Sequence, residues 1–385
     1  MSNVSKIFIT ISPNKDKPVE VKLSRTLLIK KLVKNQLPAK AISTIALLFN
    51  QCSATQRIAG LTAIEAALQL PTTKKLKKYR GFIVQLECLH DSLWLILIDL
   101  PKMLGMEPNW EYFKALSALL LSYIDEVSQS NMFTLARSDT VDNINYKHLI
   151  EMEYLDLAKG LYEQCKETRA LLISSQLFSE IATELSYYDW LTKRKNNALN
   201  DEAVRMVGAT RRYQHILAKS DFRLSSLFTI LKADIFNQLN DVISELSTAI
   251  AHDTLPKMSS KSEIGKIDCS YLRQQNKALQ KSDLPLSAIV KIETARGTLQ
   301  HEVSLQANEK QIFVEKWQIK SPSEINLSSN GCANLWLKEL TQNFNYSKDE
   351  LIKRANLLIK LVNPCCKVEL NYLSNFETIE KKNYT

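Results

Sequence analysis

Glycine and proline are scarce in this chain, and their scarcity limits the folds open to it more than any other feature. Only 8 Gly and 10 Pro occur among 385 residues, well below the usual shares of about 7% and 5%. Few positions can therefore adopt the positive φ angles that tight turns between short strands require. Because 45% of the residues are hydrophobic, the chain can also bury a large core. These properties argue against a turn-rich all-β fold and predict long helices.

The spacing of apolar residues predicts a single domain over residues 1–385 that is mainly α with a small β portion (α+β). Strands are predicted at 6–11, 19–23, 288–293, 299–307, 311–319 and through Val368 and Leu370. Helices are predicted at 38–49, 53–69, 74–104 with a bend before Pro101, 109–128, 147–190, 200–217, 220–252, 331–344 and 347–362. Residues 253–285 are rich in Ser, Lys, Asp and Gln, and we expect a flexible loop there.

The net charge is +9, and part of it is concentrated in Lys74, Lys75, Lys77, Lys78 and Arg80. This cluster begins a helix whose other face is apolar, and it favours a solvated or partner-facing helix end over a nucleic-acid surface. The N-terminus has no apolar run typical of a secretory signal, and the stretch 93–100 is too short to span a membrane. We therefore expect a soluble cytoplasmic protein that binds neither nucleic acid nor membrane.

The chain has seven cysteines: Cys52, Cys88, Cys165, Cys269, Cys332, Cys365 and Cys366. No CxxC pair occurs, so reduced thiols are expected and a structural zinc site is not. Cys52 directly precedes a helix that Ser53 can cap, and the positive end of that helix favours the thiolate that binds soft metals. An ordinary buried cysteine is the alternative. Cys365 and Cys366 follow Pro364, which ends a helix and leads into a turn.

Arg296 lies where two predicted strands meet, directly before Gly297. A guanidinium group held at such a junction could direct its five donors at an anionic ligand. An arginine in a surface turn is the alternative interpretation of this position.

Together and in this order, these segments resemble the large subunits of nickel–iron hydrogenases. The stretch 52–65 is similar to the helix that begins at the second cysteine of the family's N-terminal CxxC motif. The segments 25–29, 80–90, 292–301, 322–331 and 363–365 are similar to further family motifs, the last of them to the C-terminal DPCxxC. The resemblance implies a hydrogenase large-subunit-like fold, with metal ligation by Cys52 and Cys365 or Cys366. It also implies cofactor contacts by Arg296 and His301. For His301, ordering the metal ligands through hydrogen bonds and simple packing are the alternatives.

The departures from the family pattern concern the metal ligands. Phe49 and Val368 stand where the family has two further cysteines, and Gln56 and Asn371 stand where it has two histidines. Hydrocarbon side chains cannot ligate a metal, so we expect neither a four-thiolate nickel site nor hydrogen turnover. The chain is therefore predicted not to be an enzyme, and its C-terminal tail is predicted not to be trimmed.

Loss of one cysteine from each pair is typical of the accessory hydrogenase expression and formation proteins of the HupK/HoxV type. This resemblance implies a non-catalytic scaffold that holds or relays an iron fragment, Fe(CN)2CO, through Cys52 and Cys365, with Arg296 near the diatomic ligands. The expected partners are the maturation chaperone, the cyanide-synthesis accessory proteins and the hydrogenase large subunit. Alternatives are a metal-free adaptor for assembly and a hydrogenase-like enzyme with an altered metal site. The remaining cysteines are expected to serve packing, namely Cys88, Cys165, Cys269 and Cys332.

Overall fold

Helices account for most of the residues that the computed structural model describes, as the scarcity of glycine and proline predicts. The structure describes residues 6–13, 18–23, 26–49, 52–70, 72–128, 152–189, 223–260, 262–271, 286–307, 311–329, 331–342, 346–362 and 367–373. The helices are α1 Thr26–Val33, α2 Pro38–Leu48, α3 Ser53–Ala67, α4 Lys74–Trp94, α5 Leu100–Leu104, α6 Trp110–Ser128, α7 Met152–Ser174, α8 Leu177–Ser186, α9 Leu224–Ala251, α10 Pro322–Leu327, α11 Cys332–Gln342 and α12 Lys348–Leu361. The predicted α+β class is confirmed.

Two small sheets accompany the helices. Their strands are β1 Lys6–Ile11, β2 Val19–Leu23, β3 Ile267–Tyr271, β4 Leu286–Thr294, β5 Gly297–Ala307, β6 Ile312–Lys320 and β7 Lys367–Tyr372. The first sheet has the order β2-β1-β7, and the second has the order β3-β4-β5-β6. In the first sheet β7 runs parallel to β1, with Ile9 opposite Leu370. The strand predicted near the C-terminal end is therefore confirmed, and it pairs with the first strand of the chain.

Four elements differ from the predictions. The helix predicted at 147–190 is divided, because α7 ends at Ser174 and α8 begins at Leu177, and the short helix α10 was not predicted. Strand β3 lies inside the segment 253–285, where we expected a loop, and it pairs antiparallel with β4 from Ile267 opposite Ile292. Five residues are too few for a period-two pattern to stand out from a polar background. Helix α1 was not predicted, because it is only eight residues long. The predicted helix at 200–217 and the stretch 272–285 lie outside the described residues.

A π-helical turn lies directly before Pro101, where a bend was predicted, and it has a backbone cause. Proline lacks the N–H that would bond to the carbonyl of Leu97, and its ring clashes with that carbonyl. The helix responds with a wide π-helical turn over Leu95–Asp99. The carbonyl oxygen of Leu97 instead accepts a hydrogen bond from the backbone N–H of Asn109 at 2.8 Å.

Helix α3 occupies the centre of the fold. Thirteen of its fifteen residues are buried, and it packs against α2, α4 and strands β3 to β5. Such close approach depends on small residues: a Cβ atom added at Gly60 would lie 3.1 Å from the Trp317 ring. The span Lys74–Leu104 is long and apolar enough to cross a membrane, but 83% of its most apolar window is buried inside the protein. Burial of this kind is typical of a core helix.

The segment that precedes β3 crosses α4 at a contact between two glycines. A Cβ atom on Gly81 would lie 2.7 Å from the carbonyl oxygen of Gly265, and Gly265 itself has φ +88°. We expect Gly81→Ala to lower the free energy of unfolding by about 2–3 kcal/mol, because backbone must move to admit the methyl group. Gly160→Ala in α7 is the matched control: the nearest atom is 3.9 Å away, so a gain of about 0.5–1 kcal/mol is expected. Urea denaturation of both variants tests this, and equal midpoints for Gly81→Ala and the wild type would contradict it.

A buried carboxyl group holds the same segment against α9. The Glu245 carboxylate accepts the backbone N–H of Ser259 at 2.5 Å, and the Gln85 amide donates to Ser262 at 2.6 Å. The second Glu245 oxygen and the Gln85 carbonyl oxygen are buried and have no donor among the described residues. Burial, with the nearby Asp241, raises the pKa of Glu245 to about 8.

This carboxyl group predicts a stability that falls as the pH rises. Unfolded Glu245 loses its proton near pH 4.5, whereas folded Glu245 keeps it to about pH 8, so the folded state binds more protons in that window and loses stability across it. We expect Glu245→Gln, which cannot ionise, to flatten the profile between pH 6 and 8. The variant should exceed the wild type by about 2 kcal/mol above pH 8. Thermal unfolding at several pH values measures this, and parallel profiles for the two proteins would refute it.

Candidate functional site

A pocket opens where α3, α4, the β4–β5 turn and the start of α10 converge. It is lined by Cys52, Thr55, Gln56, Glu87, Cys88, Asp91, Thr294, Ala295, Arg296, Leu299 and Pro322. The structure therefore brings Cys52 and Arg296, which lie more than 240 positions apart in sequence, to one cavity. Of the residues that sequence analysis singled out, these two line the pocket directly.

Cys52 occupies the N-cap position of α3, so the prediction that Ser53 caps this helix is wrong. Cys52 makes no side-chain capping hydrogen bond. Instead, the Glu87 carboxylate accepts the backbone N–H groups of Ala54 at 3.0 Å and Thr55 at 2.9 Å. A distant carboxylate thus satisfies the first amides of α3 and neutralises its positive end. Because these amides are already occupied, the thiol rather than the helix end is the group exposed to a ligand.

Glu87 is fully enclosed, and its protonation governs the charge of the pocket. Burial and the nearby Asp91 raise the pKa of Glu87 to about 7, against the hydrogen bonds from Ala54 and Thr55. Near neutral pH the group therefore changes between a carboxylate and a neutral acid. An anionic ligand is expected to bind more readily when Glu87 carries its proton, because this removes a negative charge from the pocket wall.

Arg296 stands in the tight turn between β4 and β5, as predicted. The Thr294 hydroxyl donates to the Gly297 carbonyl at 2.7 Å and accepts the backbone N–H of Arg296 at 3.2 Å. Asn326 of α10 donates to the Arg296 carbonyl at 3.0 Å. The guanidinium forms a 2.8 Å ion pair with Asp91, and its side chain is 10% exposed. The ion pair with Asp91 therefore holds the Arg296 guanidinium against α4 at the wall of the pocket.

Cys88 is a pocket residue that sequence analysis assigned to packing alone. It is buried as expected, but its sulfur also faces the cavity and accepts the backbone N–H of Ala295 at 3.4 Å. Burial raises the pKa of Cys88 to about 12, so it is a thiol in the empty pocket. The sequence did contain a sign that Cys88 could belong to a site, because Glu87, Cys88 and Asp91 fall on adjacent turns of one face of α4. Only the fold shows that this face meets Cys52.

His301 does not line the pocket, although the resemblance implied a cofactor contact for it. It is fully buried behind Gln56, whose side-chain oxygen lies 2.8 Å from His301 Nε2. The Trp317 indole donates to His301 Nδ1 at 3.3 Å. Burial lowers the pKa of His301 to about 3, so the ring is neutral. It reaches Cys52 only through Gln56, whose amide donates to the Cys52 sulfur at 3.7 Å.

The other predicted ligands, Cys365 and Cys366, lie outside the described residues. The chain is described again from Lys367, the first residue of β7, which pairs with Lys6. Within the part of the chain that the structure describes, no group of three or more His, Cys, Asp or Glu side chains could hold a metal ion.

Comparison with known proteins agrees with the fold. No family model and no curated protein sequence matches the chain, but solved structures do. An NAD+-reducing NiFe hydrogenase in the H2-reduced state aligns over 90% of this chain and 92% of its own, with 11% identity and a TM-score of 0.53. The Ni-Fe-Se hydrogenase from D. vulgaris Hildenborough aligns over 91% and 94%, with 10% identity and a TM-score of 0.52.

A third match comes from a different kind of protein. The membrane-bound sulfane sulfur reductase MBS, an archaeal respiratory membrane complex, aligns over 87% of this chain and 86% of its own, with 11% identity and a TM-score of 0.50. Identities this low show a shared fold and nothing finer. The chain has the fold of the nickel–iron hydrogenase large subunits.

Proposed function

We propose that this protein is a non-catalytic scaffold in NiFe hydrogenase maturation, of the accessory type that resembles the large subunit. Its cargo is the Fe(CN)2CO unit, held or relayed through Cys52 and Cys365 with Arg296 near the diatomic ligands. The observation that carries this proposal is the meeting of the Cys52 thiol and the Arg296 guanidinium in one pocket of a hydrogenase large-subunit fold.

The chemistry of the pocket suits such a cargo. A thiolate is a favoured ligand of iron in this class of fragment, and a guanidinium can donate charge-assisted hydrogen bonds to the nitrogen atoms of cyanide. The two cyanides and the carbon monoxide travel with the iron and already occupy part of its coordination sphere. A site with few protein ligands is therefore sufficient for the fragment, and it also permits release.

Two other positions argue against a nickel site. Phe49 is buried in the core at 2% exposure at the position where the family has a cysteine, and Val368 stands at the other. Neither side chain offers an electron pair, so no nickel is expected and hydrogen turnover is not proposed. The partners that follow are the chaperone that carries the iron unit, the cyanide-synthesis proteins and the hydrogenase large subunit. A reducing cytoplasm is the proposed location, because free thiolates persist there.

One observation favours a second candidate, a metal-free adaptor that keeps the fold for interaction alone. The described residues contain no cluster of three or more metal-ligating side chains. A hydrogenase-like enzyme with an altered site is the third candidate, and it requires bound nickel.

Infrared spectroscopy on protein purified anaerobically from cells that make their own hydrogenase separates these candidates. The scaffold predicts cyanide and carbonyl stretching bands, with iron and without nickel. Cys52→Ala should abolish the bands, whereas Cys165→Ala should leave them, because Cys165 is a buried thiol of α7 that does not line the pocket. Absence of iron in every preparation, with maturation still dependent on the protein, would support the adaptor. Stoichiometric nickel would support the enzyme, and normal maturation after deletion would exclude both assembly roles.

The C-terminal ligand is identified by a pair of variants. If Cys365 holds the iron, Cys365→Ser should remove the carbonyl band and Cys366→Ser should retain it. The opposite result would assign the ligand to Cys366. Retention of the band in both single variants and in the double variant would show that neither cysteine is needed, and the proposal would then have to rely on a thiol within the pocket, Cys88.

A further inference from the structure

A line of buried polar side chains leads from the second sheet to the pocket cysteine. Trp317 of β6 donates to His301 of β5, His301 contacts Gln56 of α3, and Gln56 contacts Cys52. All three side chains behind the cysteine are at most 1% exposed. Because water does not reach them, each polar atom must find its partner within the line.

The direction of every hydrogen bond in this line follows from its first member. The indole N–H of Trp317 can only donate, so Nδ1 of His301 must accept. A neutral imidazole whose Nδ1 accepts carries its proton on Nε2. His301 therefore donates to Gln56, which must present its carbonyl oxygen to the ring. The amide nitrogen of Gln56 is then left facing the sulfur of Cys52.

We propose that Gln56 is a positioning residue for Cys52, and that Trp317 acts through His301 to hold the Gln56 amide with its N–H toward the sulfur. This inference rests on the proposed function for the role of Cys52 as a ligand. It goes further by naming what prepares that ligand. A flipped amide would set its oxygen against the sulfur and its nitrogen against the His301 N–H. An acceptor would then face an acceptor at the sulfur, and a donor would face a donor at His301. Each mismatch would cost the desolvation energy of a buried polar group.

The Cys52 sulfur therefore accepts a hydrogen bond from Gln56. This arrangement favours a thiolate bound to a metal over a thiol, whose S–H would need an acceptor. A second layer of this kind tunes metal affinity by about 10–100-fold in other metal sites.

Cadmium binding under reducing, anaerobic conditions measures the effect, because the cadmium–thiolate absorption band reports ligation by sulfur. The portion of the band lost in Cys52→Ser isolates this cysteine. We expect Gln56→Leu to weaken the Cys52 affinity for Cd2+ about tenfold, and Trp317→Phe to weaken it about threefold. Gln85→Leu is the matched control. It removes a buried glutamine amide of α4 that bonds to Ser262, and it should leave the affinity unchanged.

The decisive comparison is the double variant. If Trp317 acts through Gln56, then Trp317→Phe should have no further effect on cadmium affinity once Gln56 is leucine. Independent losses that add in the double variant would overturn the proposal, as would a wild-type protein without Cys52-dependent cadmium binding. The iron fragment plays no part in this measurement. A protein that binds cadmium as expected but never carries iron would refute the proposed cargo and leave the positioning role standing.

The tautomer of His301 provides a test on the wild-type protein, with a variant needed only to assign the signal. The protein has 5 His, so selective 15N labelling gives few signals, and His301→Gln assigns the one of interest. We expect its proton on Nε2, with no titration down to pH 5. A proton on Nδ1, or a charged ring at that pH, would reverse the direction of the line and refute the proposal.

Discussion

Replacing Arg80 with methionine is expected to lower the free energy of unfolding by about 3–5 kcal/mol. Arg80 of α4 and Glu65 of α3 are 1% and 0% exposed, and the guanidinium bonds to both carboxylate oxygens at 2.6 and 2.8 Å. Removing the cation leaves Glu65 as an ionised or newly protonated acid in the middle of the core. Urea denaturation followed by circular dichroism measures the loss.

The double variant Glu65→Leu with Arg80→Met distinguishes two effects on stability: the loss of the ion pair, and the burial of a Glu65 carboxylate without its cation. Because it removes both charges and keeps most of the volume, it should recover most of the stability and leave α3 and α4 packed. Lys166→Met, which breaks an exposed pair with Glu163 on α7, should not measurably change the midpoint. If Arg80→Met alone resembled this surface variant, the buried pair would carry no stabilising role.

Replacing Arg296 with methionine is expected to reduce the iron retained by the protein at least tenfold. Removing a hydrogen-bond partner just beyond the metal ligands lowers metal affinity by about this factor in other sites. The variant removes the only cation that lines the pocket among the described residues and leaves the Asp91 carboxylate, 12% exposed, without it. An iron unit with thiolates attached is anionic, so it loses its hydrogen-bond donors and meets an unbalanced negative charge. Arg296→Lys should give an intermediate loss, because lysine keeps the charge without the planar fork.

Two further variants separate binding from folding. Arg296→Met combined with Asp91→Asn removes the unbalanced charge, so it should restore stability without restoring iron. Arg57→Met removes a half-buried arginine of the same helix as Cys52 that does not line the pocket, and iron content should not change. Iron analysis and the intensity of the cyanide bands measure both effects. Full retention of the bands in Arg296→Met would exclude the proposed contact to the diatomic ligands.

The helical class, the order of the elements and the position of the irregular turn before Pro101 could be predicted because their causes are local. Low glycine content, apolar spacing and the missing N–H of proline act within a few residues of the chain. The same holds for the turn at Arg296, where the period-two pattern on either side locates the junction of β4 and β5. Elements of five to eight residues, β3, α1 and α10, were missed because so few residues carry too weak a pattern.

The sequence by itself therefore determined that the chain builds long helices around a small β portion, and that Cys52 and Arg296 stand at the ends of such elements. Only the tertiary structure decided which groups they meet. Glu87 rather than Ser53 satisfies the first amides of α3, Cys88 joins the wall of the pocket, and His301 lies one layer behind it. Spacing along a chain records which residues share one helix or strand face. The pairing of faces depends on packing between segments that lie between 32 and 245 residues apart in these examples, which no local pattern contains.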